Sequence, residues 1–173
     1  MSNGGKSTSR GAELSLAYAP SRSFSFFTEY GFVDAKFKNY DTSDNKGNEV
    51  DYSGNKVPFA PRHTISVSGS YRHSFNGNSL IDHISANIQY TGAGKIYWTE
   101  SNDAYQSFYG LTNANVTVEK GNVALELWAK NIFDTSYNAF YFNAADIAGN
   151  VNPYVQHGTP TTFGAKLSYT INY

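Results

Sequence analysis

Seven stretches of this chain alternate apolar with polar residues at a period of two, the side-chain repeat of a β-strand with two unlike faces. In 62–72, RHTISVSGSYR, Ile65, Val67, Gly69 and Tyr71 oppose Thr64, Ser66, Ser68 and Ser70. In 83–91, HISANIQYT, Ile84, Ala86, Ile88 and Tyr90 oppose Ser85, Asn87 and Gln89. In 162–173, Phe163, Ala165, Leu167, Tyr169, Ile171 and Tyr173 oppose Thr162, Lys166, Ser168, Thr170 and Asn172. Stretches 12–18, 23–37, 110–119 and 122–130 read the same way, with Phe24, Phe26, Tyr30 and Phe32 in one register of the second. Only 143–149, NAADIAG, admits a helical turn. The expectation is an all-β, antiparallel chain of seven strands.

The connections alternate in length. Those at 20–22, 75–79 and 120–122 are short, whereas 38–61, 99–109 and 134–160 are long and rich in Gly, Asn, Asp and Ser. Short turns at one rim and long loops at the other describe an up-and-down transmembrane barrel. Alternation alone also suits a soluble β-sandwich, an adhesin-like or surface-binding module, or a small passive barrel of about eight strands. Two features favour the large membrane barrel. The polar face is mostly small and uncharged, as a wet lumen requires. The 14 Tyr, 12 Phe and 2 Trp gather near strand ends (Tyr71, Tyr90, Tyr97, Trp98, Tyr109, Phe133, Tyr137, Tyr169, Tyr173), where a girdle meets the membrane–water boundary. No apolar run approaches the roughly 18 residues of a membrane helix, which leaves a barrel open.

Charge and composition exclude other chemistry. With 13 basic and 14 acidic residues the net charge is -1, and no Lys/Arg block invites nucleic acid. The chain has no cysteine, so thiolate metal sites are out. His63, His73 and His83 recur every ten residues, but that spacing follows the strand rhythm and predicts no shared metal. Asp41, Asp44, Glu49 and Asp51 share a loop without EF-hand spacing. No catalytic triad context or phosphate loop is present. The expectation is a non-enzyme with no metal and no cofactor. For ligand contact the candidates are the loop residues Trp98, Tyr105, Tyr109, Tyr141 and His157, against the plainer reading of girdle and loop packing.

KNIFDTSY (130–137) resembles the Asn-Leu-Phe-Asp…Tyr motif near the C-terminus of TonB-dependent outer-membrane receptors. GTPTTFGAKLSYTINY (158–173) resembles their closing strand, and KVPFAPRHTISV (56–67) the start of an earlier one. Thr161 or Thr162 stands where the family often has Arg, and Tyr173 where Phe is commoner. The motif carries over to Asn131, Phe133, Asp134 and Tyr137. Thr162, Gly164, Leu167, Tyr169 and Tyr173 match the signal by which the barrel-assembly machinery recognises a last strand. The resemblance implies that residues 10–173 are the C-terminal portion, about the last third, of a 22-stranded barrel, after a disordered polar tail at 1–9. The plug, the earlier strands, the energy-coupling segment and the signal peptide would lie outside this chain. It further implies a Gram-negative outer membrane and import of a scarce nutrient, foremost a ferric siderophore or other iron complex. The expected partners are outer-membrane lipid, the assembly machinery and, through the N-terminal region alone, the TonB energy-coupling complex; no nucleic acid is among them.

Overall fold

Turns too short for a crossover force consecutive strands to pair antiparallel. A computed structural model describes residues 5–43, 47–77 and 79–171; Asp44 and Tyr173 lie outside the described residues. The strands are β1 (Lys6–Tyr18), β2 (Phe24–Asn39), β3 (Asp41–Ser43), β4 (Glu49–Asp51), β5 (His63–Ser74), β6 (His83–Ala93), β7 (Ile96–Tyr97), β8 (Tyr105–Gln106), β9 (Tyr109–Lys120), β10 (Val123–Lys130), β11 (Asn138–Ala145), β12 (Val151–His157) and β13 (Thr162–Tyr169). Seven of them form one antiparallel sheet in the order β1-β2-β5-β6-β9-β10-β13. Each strand of this sheet lies beside its neighbours in the chain, an up-and-down order with β1 and β13 at the two open edges. The other six make three two-stranded ribbons, β3–β4, β7–β8 and β11–β12, one in each long connection.

The seven expected strands are the seven of the main sheet, and the ribbons are additional. Phe140, Tyr141 and Phe142 face Gln156, Val155 and Tyr154 across the β11–β12 ribbon. Pro153 obscures that pairing in the sequence, yet a two-stranded ribbon has free edges that tolerate it. The stretch 143–149, which alone admitted a helical turn, forms none. Residues 143–145 continue β11, and Asp146 closes a tight turn by accepting bonds from the Ala148 and Asn150 amides, each at 2.9 Å. β1 begins at Lys6, inside the stretch expected as a tail. Its polar residues 6–10 are held by backbone pairing with 34–39 of the long β2.

At the short-turn rim, two residues join β9 to β10, and Gly121 at φ 53° takes the left-handed position such a turn needs. Asp82 fastens the adjacent hairpin. It accepts from the Gly121 amide at 2.7 Å and pairs with Lys120 at 2.8 Å, while Arg72 pairs with Glu119 at 3.1 Å. These bonds hold neighbouring hairpins in register at the rim.

Between the rims the sheet is a single layer. Among the described residues the buried apolar side chains are Ile96 and Trp98, both in the loops. The apolar face is uncovered: Leu14 is 70% exposed, Leu127 55% and Phe163 79%. The opposite face carries a polar ladder. Asn87 Nδ2 donates to Asn115 Oδ1 at 2.9 Å, Asn115 Nδ2 donates to Glu126 Oε1 at 2.8 Å, and Glu126 faces Lys166 on β13. A sandwich would cover the apolar face with a second sheet; here nothing among the described residues does.

Candidate functional site

The long-loop rim carries the densest side-chain chemistry, and it starts where β10 ends. Asn131 and Asp134 both adopt left-handed backbone, φ 49° and 50°, a conformation that Asn and Asp tolerate better than most residues. This folds Asn-Ile-Phe-Asp into a hook. Asn131 is 4% exposed and spends its whole side chain on backbone. Its Nδ2 donates to the carbonyls of Thr135 and Thr159, each at 3.0 Å, and its Oδ1 accepts from the Thr135 amide at 2.9 Å. Its carbonyl accepts from the Thr161 hydroxyl at 2.6 Å, and its amide donates to Asn113 Oδ1 at 3.0 Å. Asp134 accepts from the Thr161 amide at 3.0 Å. The two side chains clasp the start and the end of the last long loop, so that β13 enters beside β10 although thirty-one residues separate Lys130 from Thr162. Phe133, 75% exposed, points away from the clasp.

Tyr137 leaves the hook and stacks on Tyr109, ring centroids 4.5 Å apart and 8° from parallel. Its ring lies over Gly158, where any Cβ would collide with it. The last loop is thereby pinned to the start of β9.

The three loops are laced together. Asn102, at φ 59°, works as a two-way amide on Lys56: its Oδ1 accepts from the Lys56 amide at 2.7 Å and its Nδ2 donates to the Lys56 carbonyl at 2.9 Å. The Phe59 amide donates to the Tyr97 carbonyl at 2.9 Å. The Phe59 ring packs on Trp98 at 5.5 Å and stacks on Phe140 at 5.6 Å, and Phe142 continues the row to Tyr154 at 5.4 Å. Gln106 Oε1 accepts from the Asn138 amide at 2.8 Å. Aromatic pairs of this kind add about 0.5–1.5 kcal/mol each beyond burial, so the loops form one cap and not three independent arms. Sequence reading missed Asn102 and Phe59. For Asn102 the signal was its place in SND, a stretch suited to positive φ; for Phe59 there was none.

The ligand candidates fall into two groups. Trp98 and Tyr109 are taken up in packing, Trp98 under Phe59 and Tyr109 against Tyr137. Tyr105 is 49% exposed, and Lys95 Nζ lies 3.6 Å above its ring and 4.7 Å from that of Tyr97, a cation held by two aromatic faces. Tyr141 donates to Asn143 Oδ1 at 3.0 Å, and the exposed His157 pairs with Asn138 in the ribbon. The remaining histidines are apart: His63 bonds Tyr30, His83 bonds Ser74, and His73 packs on Phe75. No cluster of metal-ligating side chains occurs among the described residues.

Asp146, at the tip of the cap, has its pKa held below the ordinary carboxyl value, first by the Asn150 side chain and then by the Asn150 and Ala148 amides. A depressed carboxyl stabilises the turn above its unfolded pKa, and that contribution fades as pH falls through the folded value. The expected result is a titration midpoint for Asp146, followed by carboxyl carbon shifts, below 3.8. Asn150→Ala should move it upward; an unmoved midpoint would refute the assignment.

In β13, Gly164 faces Trp128 on β10, and a Cβ there would lie 2.5 Å from the indole ring. Thr162 faces Lys130, while Leu167 and Tyr169 face Leu125 and Val123 on the uncovered apolar side, 73% and 67% exposed.

Known proteins match both the sequence and this architecture. A model of the family described as "TonB dependent receptor-like, beta-barrel" matches residues 1–132. The pesticin receptor of Yersinia pestis is 24% identical over 156 residues, covering 88% of this chain and 21% of that protein. The ferric yersiniabactin uptake receptor FyuA of Yersinia pestis aligns in structure with a TM-score of 0.76 at 19% identity, over 96% of this chain and 24% of that one. The siderophore receptor PiuA of Acinetobacter baumannii aligns at 0.72 and 18%, over 94% and 22%. The chain therefore spans about a fifth of its curated relative's length. The structural likeness runs beyond residue 132 and takes in the closing strands.

Proposed function

The chain belongs to the TonB-dependent receptor-like β-barrel family of the Gram-negative outer membrane, and we propose that it forms the C-terminal wall and outer cap of an importer of ferric siderophores. One observation carries the transport reading. The seven-stranded sheet is a single layer with a hydrogen-bonded polar face and an uncovered apolar face. A wall with water on one side and lipid on the other needs both. The long loops then lie outside the cell and the short turns in the periplasm. Siderophore cargo is supported by the similar receptors, two of which carry ferric yersiniabactin or siderophore in their names.

In this cap the ligand-facing chemistry centres on Tyr105 with Lys95, which together offer an aromatic face and a cation to an anionic iron chelate. Tyr141 and His157 belong to the last ribbon, whose Asn138 amide bonds Gln106 next to Tyr105, whereas Trp98 and Tyr109 are taken up in packing. Energy coupling to TonB belongs to parts of the receptor outside this chain.

The test is binding of ferric catecholate, hydroxamate and mixed-ligand siderophores to the complete receptor, followed by quenching of intrinsic fluorescence. One class should bind, and Lys95→Gln with Tyr105→Ala should weaken it at least tenfold. Failure of all three classes would overturn the cargo. Binding unaffected by both substitutions would remove Tyr105 and Lys95 from the site.

A further inference from the structure

The outward face of β1 and β2 changes character above the apolar band. Residues two apart in a strand share a face, so Phe24, Phe26, Tyr30 and Phe32 face lipid together. Phe24 to Phe32 is nine residues of β2, the length at which a tilted strand of about 9–11 residues crosses the hydrocarbon. The next residues on that face are Asp34 and Lys36. Asp34 pairs with Lys36 at 3.4 Å and with Lys56, which the first long loop brings alongside β2. Arg10 faces Asp34 across the strand pair and is exposed. Arg62 reaches the same face, its guanidinium 5.2 Å above the Phe32 ring. Below them Tyr30 and His63 share a 2.7 Å hydrogen bond.

Two cations thus hold one carboxylate, with Arg10 opposite it in register and Arg62 over Phe32, directly above an aromatic row. The short-turn rim is different: there Arg72 and Lys120 are each matched by a carboxylate. The acidic residues Asp41, Glu49 and Asp51 follow only in the β3–β4 ribbon, beyond Tyr40. At about 3.3 Å per residue and the usual tilt, Lys36 stands about 9 Å past Phe32, in the headgroup layer. Desolvated guanidinium and ammonium groups at that depth recognise phosphate.

We propose that Arg10, Lys36, Lys56 and Arg62 form a docking surface for the phosphate groups of an anionic lipid seated in the outer leaflet, with Tyr30, Phe32 and His63 against its acyl–headgroup junction. Asp34, paired with both lysines, offsets part of their charge. The site rests on the membrane orientation above but not on the cargo, so a receptor that binds no siderophore leaves it standing.

The experiment is native mass spectrometry of the complete receptor in micelles titrated with bis-phosphorylated lipid A, dephosphorylated lipid A or inorganic phosphate. Each basic side chain near an anionic leaflet contributes about fivefold in affinity. The combined Arg10→Gln, Lys36→Gln, Lys56→Gln variant should therefore lose at least tenfold in lipid A retention, and retention should fall with salt. Asp34→Asn, which leaves every cation in place, should raise retention instead and keeps the proposal testable if the triple variant does not fold. Dephosphorylated lipid A should be retained poorly. Equal retention of both lipids, an unaffected triple variant, an unaffected or weakened Asp34→Asn variant, or full displacement of lipid A by millimolar inorganic phosphate would each overturn the proposal.

Discussion

Replacing Asn131 by alanine is expected to cost the folded barrel about 3–4 kcal/mol. The Asn131 amide makes three hydrogen bonds to backbone groups at a position only 4% exposed. Truncation leaves two carbonyls and one amide without partners, at roughly 1 kcal/mol or more each. Alanine must also hold φ 49°, which costs a Cβ-bearing residue about 1 kcal/mol more than it costs asparagine. Three substitutions separate these contributions. Asn131→Gly relieves the backbone and should recover only that last part. Asn131→Asp keeps the outline and the acceptor for the Thr135 amide, but turns the donor into a second oxygen facing the carbonyls of Thr135 and Thr159. It should fall close to alanine. Thr161→Val removes the 2.6 Å bond to the Asn131 carbonyl and should cost about 1 kcal/mol. Urea unfolding of the complete receptor in micelles, followed by tryptophan fluorescence, measures all four. If aspartate were as stable as asparagine, the clasp would not be what joins the two ends of the last loop.

That clasp marks the boundary between what the sequence could and could not say. The strands were legible because each alternates over seven residues or more, and one face of each had to meet lipid. Residues such as Leu125 and Leu127 announce their face without reference to any partner. The ribbons were not legible. β3, β4, β7 and β8 are only two or three residues long, too short for any period to register. They are held by contacts between loops far apart in the chain, such as Asn102 to Lys56, forty-six residues away. The exposed aromatics were legible as a group, but not their division of labour. Nothing local tells Trp98, capped by Phe59, from Tyr105, which is left open under Lys95. The basic face of β1 and β2 was obscured by composition. A chain of net charge -1 gives no hint that Lys36 and Lys56 pair with Asp34 and share a face with Arg10 and Arg62, because that depends on the pairing of β1 with β2 and on the return of the first loop beside it.

The second large effect belongs to the closing strand. Gly164→Val is expected to prevent β13 from settling against β10 in its present register, because a Cβ at this position would fall 2.5 Å from the Trp128 ring. Either the indole leaves the polar face or the pairing of Trp128 with Gly164 shifts, and overpacking of this kind costs about 1–3 kcal/mol. A shift of one residue would also turn Phe163, Leu167 and Tyr169 from lipid toward the lumen. Two roles for the glycine can be told apart by adding Trp128→Ala, which clears the space. If Gly164 serves only to accommodate the indole, the double variant regains both refolding in micelles and assembly in cells. If Gly164 also belongs, with Thr162, Leu167 and Tyr169, to a signal read by the assembly machinery, the double variant refolds in micelles but remains depleted from the outer membrane. We expect the second outcome. Among the described residues Gly164 lies on an edge strand of the sheet, and a residue without a Cβ lets another chain approach that backbone closely. Heat-dependent gel mobility after refolding, set beside the amount of receptor in outer-membrane fractions, gives both readings on the same variants. Recovery of the two together would confine Gly164 to packing.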